Sequence, residues 1–370
     1  MSGNKKSTPH VLQHQVVFLL LSPCLLLVAT GSVRADFVFG EPENLGPAVN
    51  SAYGDNSCDA RSNGLELYIA SDRPGGLGDT DLWVSKRLTA NKDWGTAVNL
   101  GGPVNSPYQD AEPCISGDGL SLYFQSTRPG SLGGSDLYIS TRATILDAWD
   151  EPVNLGPIVN SSAWDAGPSI SADGLLLYFC SNREKIGTDY SELHYIYVTT
   201  RPTTDDPWSA PVRLGATVNP ALAYSSAWPR ISADGLSLYF WRMLSDARGQ
   251  WVATRTSVTE PWNRVVDLGL RGASPWFSAD GSIMTFVSRS YGGYGDVDVV
   301  QVSVDPIVDF NSDGAVDCID ICALVEHWGT DDSLYDIGPT PFGDGVVDVQ
   351  DLIVLAEHIS SDTGDSDDVE

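Results

Sequence analysis

Three octapeptides constrain this chain more than any other feature. "NLGPAVNS" (Asn44–Ser51), "NLGGPVNS" (Asn99–Ser106) and "NLGPIVNS" (Asn154–Ser161) start 55 residues apart. "RLGATVNP" (Arg213–Pro220) is a fourth copy, and "DLGLRG" (Asp267–Gly272) is a shortened fifth. A second marker follows each copy: "SNGLELYIAS", "GDGLSLYFQS", "ADGLLLYFCS", "ADGLSLYFWR" and "ADGSIMTFVS". A third marker is "DLWVSKR" (Asp81–Arg87), "DLYISTR" (Asp136–Arg142) and "YIYVTTR" (Tyr195–Arg201). Self-similarity at a period of this size signals a repeat architecture.

Each unit decodes into four short strands. The first ends at a tight Asp-Gly hairpin such as Asp118-Gly119, the dipeptide that favours two-residue turns. "LSLYFQS" alternates as a second strand. A Gly-rich loop leads to "DLYISTR" as the third, and "WDEPVNLG" (Trp149–Gly156) carries the fourth. Antiparallel four-stranded units repeated radially make a propeller. "FGEPENLG" (Phe39–Gly46) is a fourth strand with nothing before it, and "DVDVVQVSV" (Asp296–Val304) is a third strand with nothing after it. The N-terminal strand is therefore expected to complete the last blade and remove the open edges. The expected fold is all-β, a five-bladed β-propeller over residues 36–305.

The "SADGLSLYF" strand and the segment "STRPGSLGGSDLYISTR" (Ser126–Arg142) resemble the WD40-like β-propeller repeats of secreted bacterial proteins. The resemblance covers about Phe37 to Val304. It implies a fold that serves accessory domains, binding modules and scaffolds alike, and so it says little about function.

Residues 1–35 read as a signal peptide. Lys5 and Lys6 precede an apolar run, Val16–Ala29, and "VRA" (Val33–Ala35) offers a cleavage site. That run is short for a membrane span, and Pro23 is a poor neighbour for a lipidated Cys24. The mature chain is expected to be secreted, extracellular or at the cell surface, with the periplasm as an alternative. A net charge of −28 argues against nucleic acid as a partner and suits a cation-binding protein. Residues 361–370 form an acidic, solvated tail. The five cysteines beyond the signal, Cys58, Cys114, Cys180, Cys318 and Cys322, are an odd number and give no complete disulfide framework.

On the propeller, the connections into the first strand and between the second and third are long, so their face is the candidate binding face. Asp55, Asp110 and Asp165 recur at the start of the innermost strand. Arg73, Arg128 and Arg183 recur in the second-to-third loop. They offer a ligand face, with blade-internal ion pairs as the plainer reading. Trp164, Trp228 and Trp276 break the repeat and suit sugar stacking or burial. The repeated Trp94, Trp149, Trp208 and Trp262 read as packing residues. A glycosidase needs two or three carboxylates in distinct environments, and these should break the repetition. No GxSxG, HExxH or Walker pattern occurs. Catalytic residues are assigned to none.

Residues 306–360 form a second module. "DFNSDGAVDCID" places Asp309, Asn311 and Asp313 at positions 1, 3 and 5 of an EF-type loop, with the Ala315 carbonyl at 7 and Asp317 and Asp320 at 9 and 12. Ile321, Leu324, Val325 and Trp328 follow at helical spacing. "TPFGDGVVDVQD" keeps Asp344, Asp348 and Asp351 at 5, 9 and 12 but has Thr340 and Phe342 at 1 and 3. Asp336 becomes a ligand if the intervening "IGPTPFG" bulges outward. Two loop–helix units with Asp at position 12 and no preceding helix resemble a type I dockerin. The resemblance implies a small all-α domain holding Ca2+, in one full site and one altered site, and a cohesin-like partner. The function expected on these grounds is a non-catalytic propeller binding a glycan, such as a polysaccharide, or a protein, tethered by its C-terminal module. A glycoside hydrolase or lyase on the same scaffold is the alternative, and a structural surface protein is a further one.

Overall fold

The structure, a computed structural model, describes residues 37–184, 193–221, 225–243, 248–278, 281–311, 315–330, 332, 334–338 and 346–359. The expected signal peptide and acidic tail lie outside them. Two N-terminal strands come first, β1 (Phe37–Phe39) and β2 (Glu43–Asn44). Blade 1 holds β3 (Asp55–Ala60), β4 (Glu66–Ser71), β5 (Asp81–Lys86) and β6 (Val98–Asn99). Blade 2 holds β7 (Asp110–Ile115), β8 (Ser121–Ser126), β9 (Asp136–Thr141) and β10 (Val153–Asn154), followed by a single turn of helix, α1 (Gly156–Val159). Blade 3 holds β11 (Asp165–Ile170), β12 (Leu176–Ser181), β13 (Tyr195–Thr200) and β14 (Val212–Arg213). Blade 4 holds β15 (Ser225–Ile231), β16 (Ser237–Met243), β17 (Arg248–Thr254) and β18 (Arg264–Asp267). Blade 5 holds β19 (Ala273–Phe277), β20 (Ile283–Ser288) and β21 (Asp298–Pro306).

Blade 5 lacks a fourth strand of its own. The N-terminal strands supply it: Glu43 and Asn44 pair with Gln301 and Val300, and Phe37–Phe39 pair with Val304–Pro306. The expected closure is observed. The fourth strands of blades 1 to 3 are only two residues long, shorter than the repeated heptads and octads around them.

The repeated octapeptide has a physical explanation. The Asn105 side chain accepts from the Leu82 amide and donates to the Leu82 carbonyl, at 2.8 and 2.9 Å. Asn160 clasps Leu137 and Asn219 clasps Ile196 in the same way. Each copy thus pins its loop to the third strand of the preceding blade. Asn50 does this to Val299, 249 residues away, and so closes the ring. In the first three copies the leading Asn turns the loop: Asn99 accepts from Gly101 and from Asn105, and Asn44 and Asn154 do the same in theirs.

The repeated tryptophans also belong to the shell. Arg87, Arg142, Arg201 and Arg255 lie 4.2–4.3 Å from the ring centroids of Trp94, Trp149, Trp208 and Trp262. The same arginines donate to the carbonyls of Gly64, Gly119, Gly174 and Gly235 at the hairpins. At Gly119, φ is +77°, which only glycine adopts without cost. Buried Tyr, Phe and Leu side chains from neighbouring blades fill the spaces between sheets, as in the cluster of Tyr68, Leu82, Leu122, Phe124 and Tyr138.

The C-terminal module contains α2 (Cys318–Glu326) and α3 (Val349–His358). Its own core is Val308, Leu324, Ile337, Val347 and Leu355. Both helices open on a reciprocal capping box, Asp317 with Asp320 and Asp348 with Asp351. Cys318 and Cys322 are free and exposed.

Candidate functional site

Asp55, Asp110 and Asp165 are fully buried, and each meets the arginine expected of it. Arg73 pairs with Asp55. Arg128 and Arg183 reach Asp110 and Asp165 at 2.6 Å. The Asp110 carboxylate also accepts from the Ser106 amide and the Ser126 hydroxyl, both at 2.6 Å. The arginines donate further to the carbonyls of Val49, Val104 and Val159. All six groups are spent on holding the loop of their own blade.

The channel is built differently. Four innermost strands carry the same four-residue frame: "AEPC" (111–114), "AGPS" (166–169), "AWPR" (227–230) and "ASPW" (273–276). The register shifts across this frame in each. Its second residue has positive φ: +52° at Glu112, +57° at Gly167, +51° at Trp228 and +51° at Ser274. Bulges of this kind bend a strand and re-aim a side chain. Gly167 leaves room for its neighbour, because a Cβ there would lie 3.1 Å from the Trp228 ring.

The last residue of the frame faces the channel. In blades 2 and 3 it is Cys114 and Ser169, and in blade 1, which lacks the frame, Asp59 takes the equivalent place; each accepts the amide of the next blade: Ile115, Ile170 and Ile231. In blades 4 and 5 it is Arg230 and Trp276, which cannot accept. The Arg230 guanidinium instead crosses the channel to the carbonyls of Pro168 and Pro113, at 2.8 and 3.0 Å. Its Nε lies 3.9 Å from Asp59, too far for a hydrogen bond.

Two cavities lie on either side of this layer. The hairpin-face cavity is about 350 Å³ and is lined by Asp59, Arg230, Trp276, Tyr239 and Phe277 among others. The loop-face cleft is about 1030 Å³ and is centred on blades 4 and 5, with Glu112, Trp228, Trp241, Trp251, Arg248 and Arg271 on its walls. Trp228 and Trp241 meet edge to face, with centroids 5.0 Å apart. The three tryptophans singled out from the sequence thus separate: Trp228 enters the loop-face cleft and Trp276 the hairpin-face cavity. Trp164 is 37% exposed beside Ser135 and lines neither.

Two carboxyls on the channel are shifted. Burial pushes Glu112 up to about 7, against the pull of Arg230 and a 3.2 Å bond from Ser274. Burial pushes Asp59 up to about 6, opposed by Arg230 and the Ile115 amide. They line different cavities. Sequence reasoning passed over Asp59 and Arg230. The signal available was that the equivalent residues of blades 2 and 3, Cys114 and Ser169, are uncharged.

In the C-terminal module Asp320 is buried. Its Oδ1 accepts from the Phe310 and Asn311 amides at 2.8 and 3.4 Å, and its Oδ2 from Asp317 at 2.9 Å. Asp351 accepts from Ile337 and Gly338 at 2.6 and 2.7 Å and from Asp348 at 2.6 Å. Asp336 therefore stands before Ile337 as Asp309 stands before Phe310, with a longer intervening chain. Asp313 and Asp344 lie outside the described residues. Among the described residues no group of three or more acidic, His or Cys side chains is placed to hold a metal ion. No described helix is long and apolar enough to cross a membrane.

No protein-family model matches this chain, and no curated protein sequence does. Solved structures are similar in fold. TolB from Acinetobacter baumannii has 14% identity and a TM-score of 0.41, covering 67% of this chain and 54% of its own. This chain thus spans about half the length of that TolB. A putative TolB from Agrobacterium tumefaciens has 16% identity and a TM-score of 0.43, covering 73% and 84%. The catalytic domain of the Coprinopsis cinerea GH62 alpha-L-arabinofuranosidase has 14% identity and a TM-score of 0.43, covering 74% and 98%. Identities this low carry no residue role from those proteins to this one.

Proposed function

We propose that this is a secreted, non-catalytic propeller that binds a polysaccharide chain in its loop-face cleft and is tethered through its C-terminal module. The observation that carries the binding is the cleft itself, where Trp228, Trp241 and Trp251 share walls with Arg248 and Arg271. Indole faces suit the C–H faces of sugar rings, and flanking charged groups suit their hydroxyls. An open cleft of about 1030 Å³ has room for several residues of a chain. Affinity electrophoresis of the full chain on a polysaccharide panel tests this. Retention on at least one polysaccharide, lost in Trp251→Ala, is expected. Equal mobility of both proteins on every gel would remove the reading.

The hydrolase or lyase alternative rests on Glu112, a buried acid on the cleft wall with an elevated pKa. The second shifted carboxyl, Asp59, lines the opposite cavity, so the two do not flank one scissile bond. Release of reducing ends by the wild type, abolished in Glu112→Gln, would favour catalysis over binding.

For the tether, Asp309, Asn311, Asp317 and Asp320, with the Ala315 carbonyl and Asp313, form an oxygen donor set suited to Ca2+. The amide bonds to Asp320 support this by drawing the loop's start toward its end. Asp336, Asp348 and Asp351, joined by Asp344, form the altered second set. Bound calcium would cross-link each loop and raise helix content, and the ordered pair would dock on a cohesin-like domain, the partner the dockerin resemblance names. Calorimetric titration of the full chain with CaCl2 should give heat that Asp309→Ala reduces by about one site. No heat in the wild type would end the calcium reading while leaving the cleft untouched.

A further inference from the structure

We infer that the hairpin-face cavity is a second, independent binding site, and that it takes a single neutral hydroxylated ring, such as one sugar residue. It opens on the face opposite the polysaccharide cleft, and it is formed by the ends of all five innermost strands: Asp59, Cys114, Ser169, Arg230 and Trp276 each line it. Its volume, about 350 Å³, lies at the small end of ligand pockets.

The floor is a loosely spaced ion pair. Arg230 is only 5% exposed, and its Nε has no hydrogen-bond acceptor among the described residues. The nearest carboxylate oxygen, on Asp59, is 3.9 Å away. A buried donor left unmatched is costly. From the cavity a ligand hydroxyl donates to the Asp59 carboxylate, which a carboxylate ligand cannot do. Ionised Asp59 and Arg230 cancel in charge, so a neutral ligand fits best.

The walls suit the body of such a ring. Trp276 stands on one strand, and Phe277 stacks on Tyr239 with centroids 4.3 Å apart. Ile115, Ile170 and Ile231 add aliphatic surface, and Ser62 and Ser232 ring the mouth.

These residues are not required by the blade. Cys114 and Ser169 accept the next blade's amide as neutral groups, so that structural task does not need the carboxylate of Asp59. Arg230 and Trp276 do not perform it at all. The three residues with ligand-binding chemistry are the ones in excess of the repeat's needs.

The test is saturation-transfer NMR and calorimetry of the full chain with free monosaccharides and myo-inositol. At least one should bind with a Kd of millimolar order or tighter. Trp276→Ala should weaken it tenfold or more. Ala172→Trp, an exposed rim position that leaves the floor intact, should weaken it as much, with an unchanged far-ultraviolet spectrum. Trp251→Ala in the opposite cleft should leave it unchanged, so the two sites fail separately. No transfer to any probe, or binding lost in Trp251→Ala and kept in both pocket variants, overturns the proposal.

Discussion

Asp110 and Glu112 stand two residues apart on one strand and are both buried carboxyls, yet they belong to different parts of the molecule. Asp110 is met by Arg128, a serine hydroxyl and an amide of its own blade. The Glu112 side chain accepts from Ser274 across the channel, and burial pushes its pKa up to about 7. The first residue recurs in three blades. The second occurs once, at a position held elsewhere by Ser, Gly and Trp. The repeated carboxylate is engaged within its own blade, and the unrepeated one meets Ser274 from across the channel.

The contrast can be broken most forcefully at the repeated position. Asp110→Ala leaves Arg128 without its anion in a nearly closed site, and removal of one partner from such a pair costs about 3–5 kcal/mol. Urea denaturation would show it, and a loss below ~1 kcal/mol would mean the shell does not depend on these pairs.

At the unrepeated position the sign reverses with pH. Glu112 titrates near 4.5 when unfolded and about 7 when folded. The native state therefore holds this proton more tightly, and its contribution is greatest below pH 4.5 and fades as pH rises through 7. Glu112→Gln should stabilise the protein relative to wild type at pH 8, by roughly 3 kcal/mol at most, and flatten the stability profile between those limits. Matched thermal melts from pH 4 to 8 would detect this. A mutant profile parallel to wild type would place the carboxyl in water.

Smaller effects sharpen the shell. Asn105→Ala removes both bonds to Leu82; the Leu82 carbonyl keeps its bond from the Leu100 amide, but the buried Leu82 amide is left unmatched, a cost of about 1–3 kcal/mol readable in the same denaturation experiment. Arg201→Lys keeps a charge near Trp208 but loses the planar stack and the bond to Gly174. About 1 kcal/mol is expected, with a melting shift of a degree or two.

The C-terminal module repeats the lesson on a smaller scale. Asp320 and Asp351 sit at corresponding places and make the same three backbone bonds. A fixed twelve-residue template places Thr340 at the start of the second loop. The amides that reach Asp351 are those of Ile337 and Gly338, upstream of that template.

The blades, their number and the way the ring closes are all legible in the repeat. The markers act over short and fixed spans except where the ring closes: the Asp-Gly turn over a few residues, the Asn clasp over 23 in three of its four cases, the Arg stack within one blade. Such interactions repeat with the sequence and can be read from it. The contents of the channel follow from the assembled ring. Arg230 meets Pro113 from 117 residues away and Ser274 meets Glu112 from 162. The bulges between them set which mouth each side chain enters. No spacing encodes that, because it depends on five strands meeting at one axis.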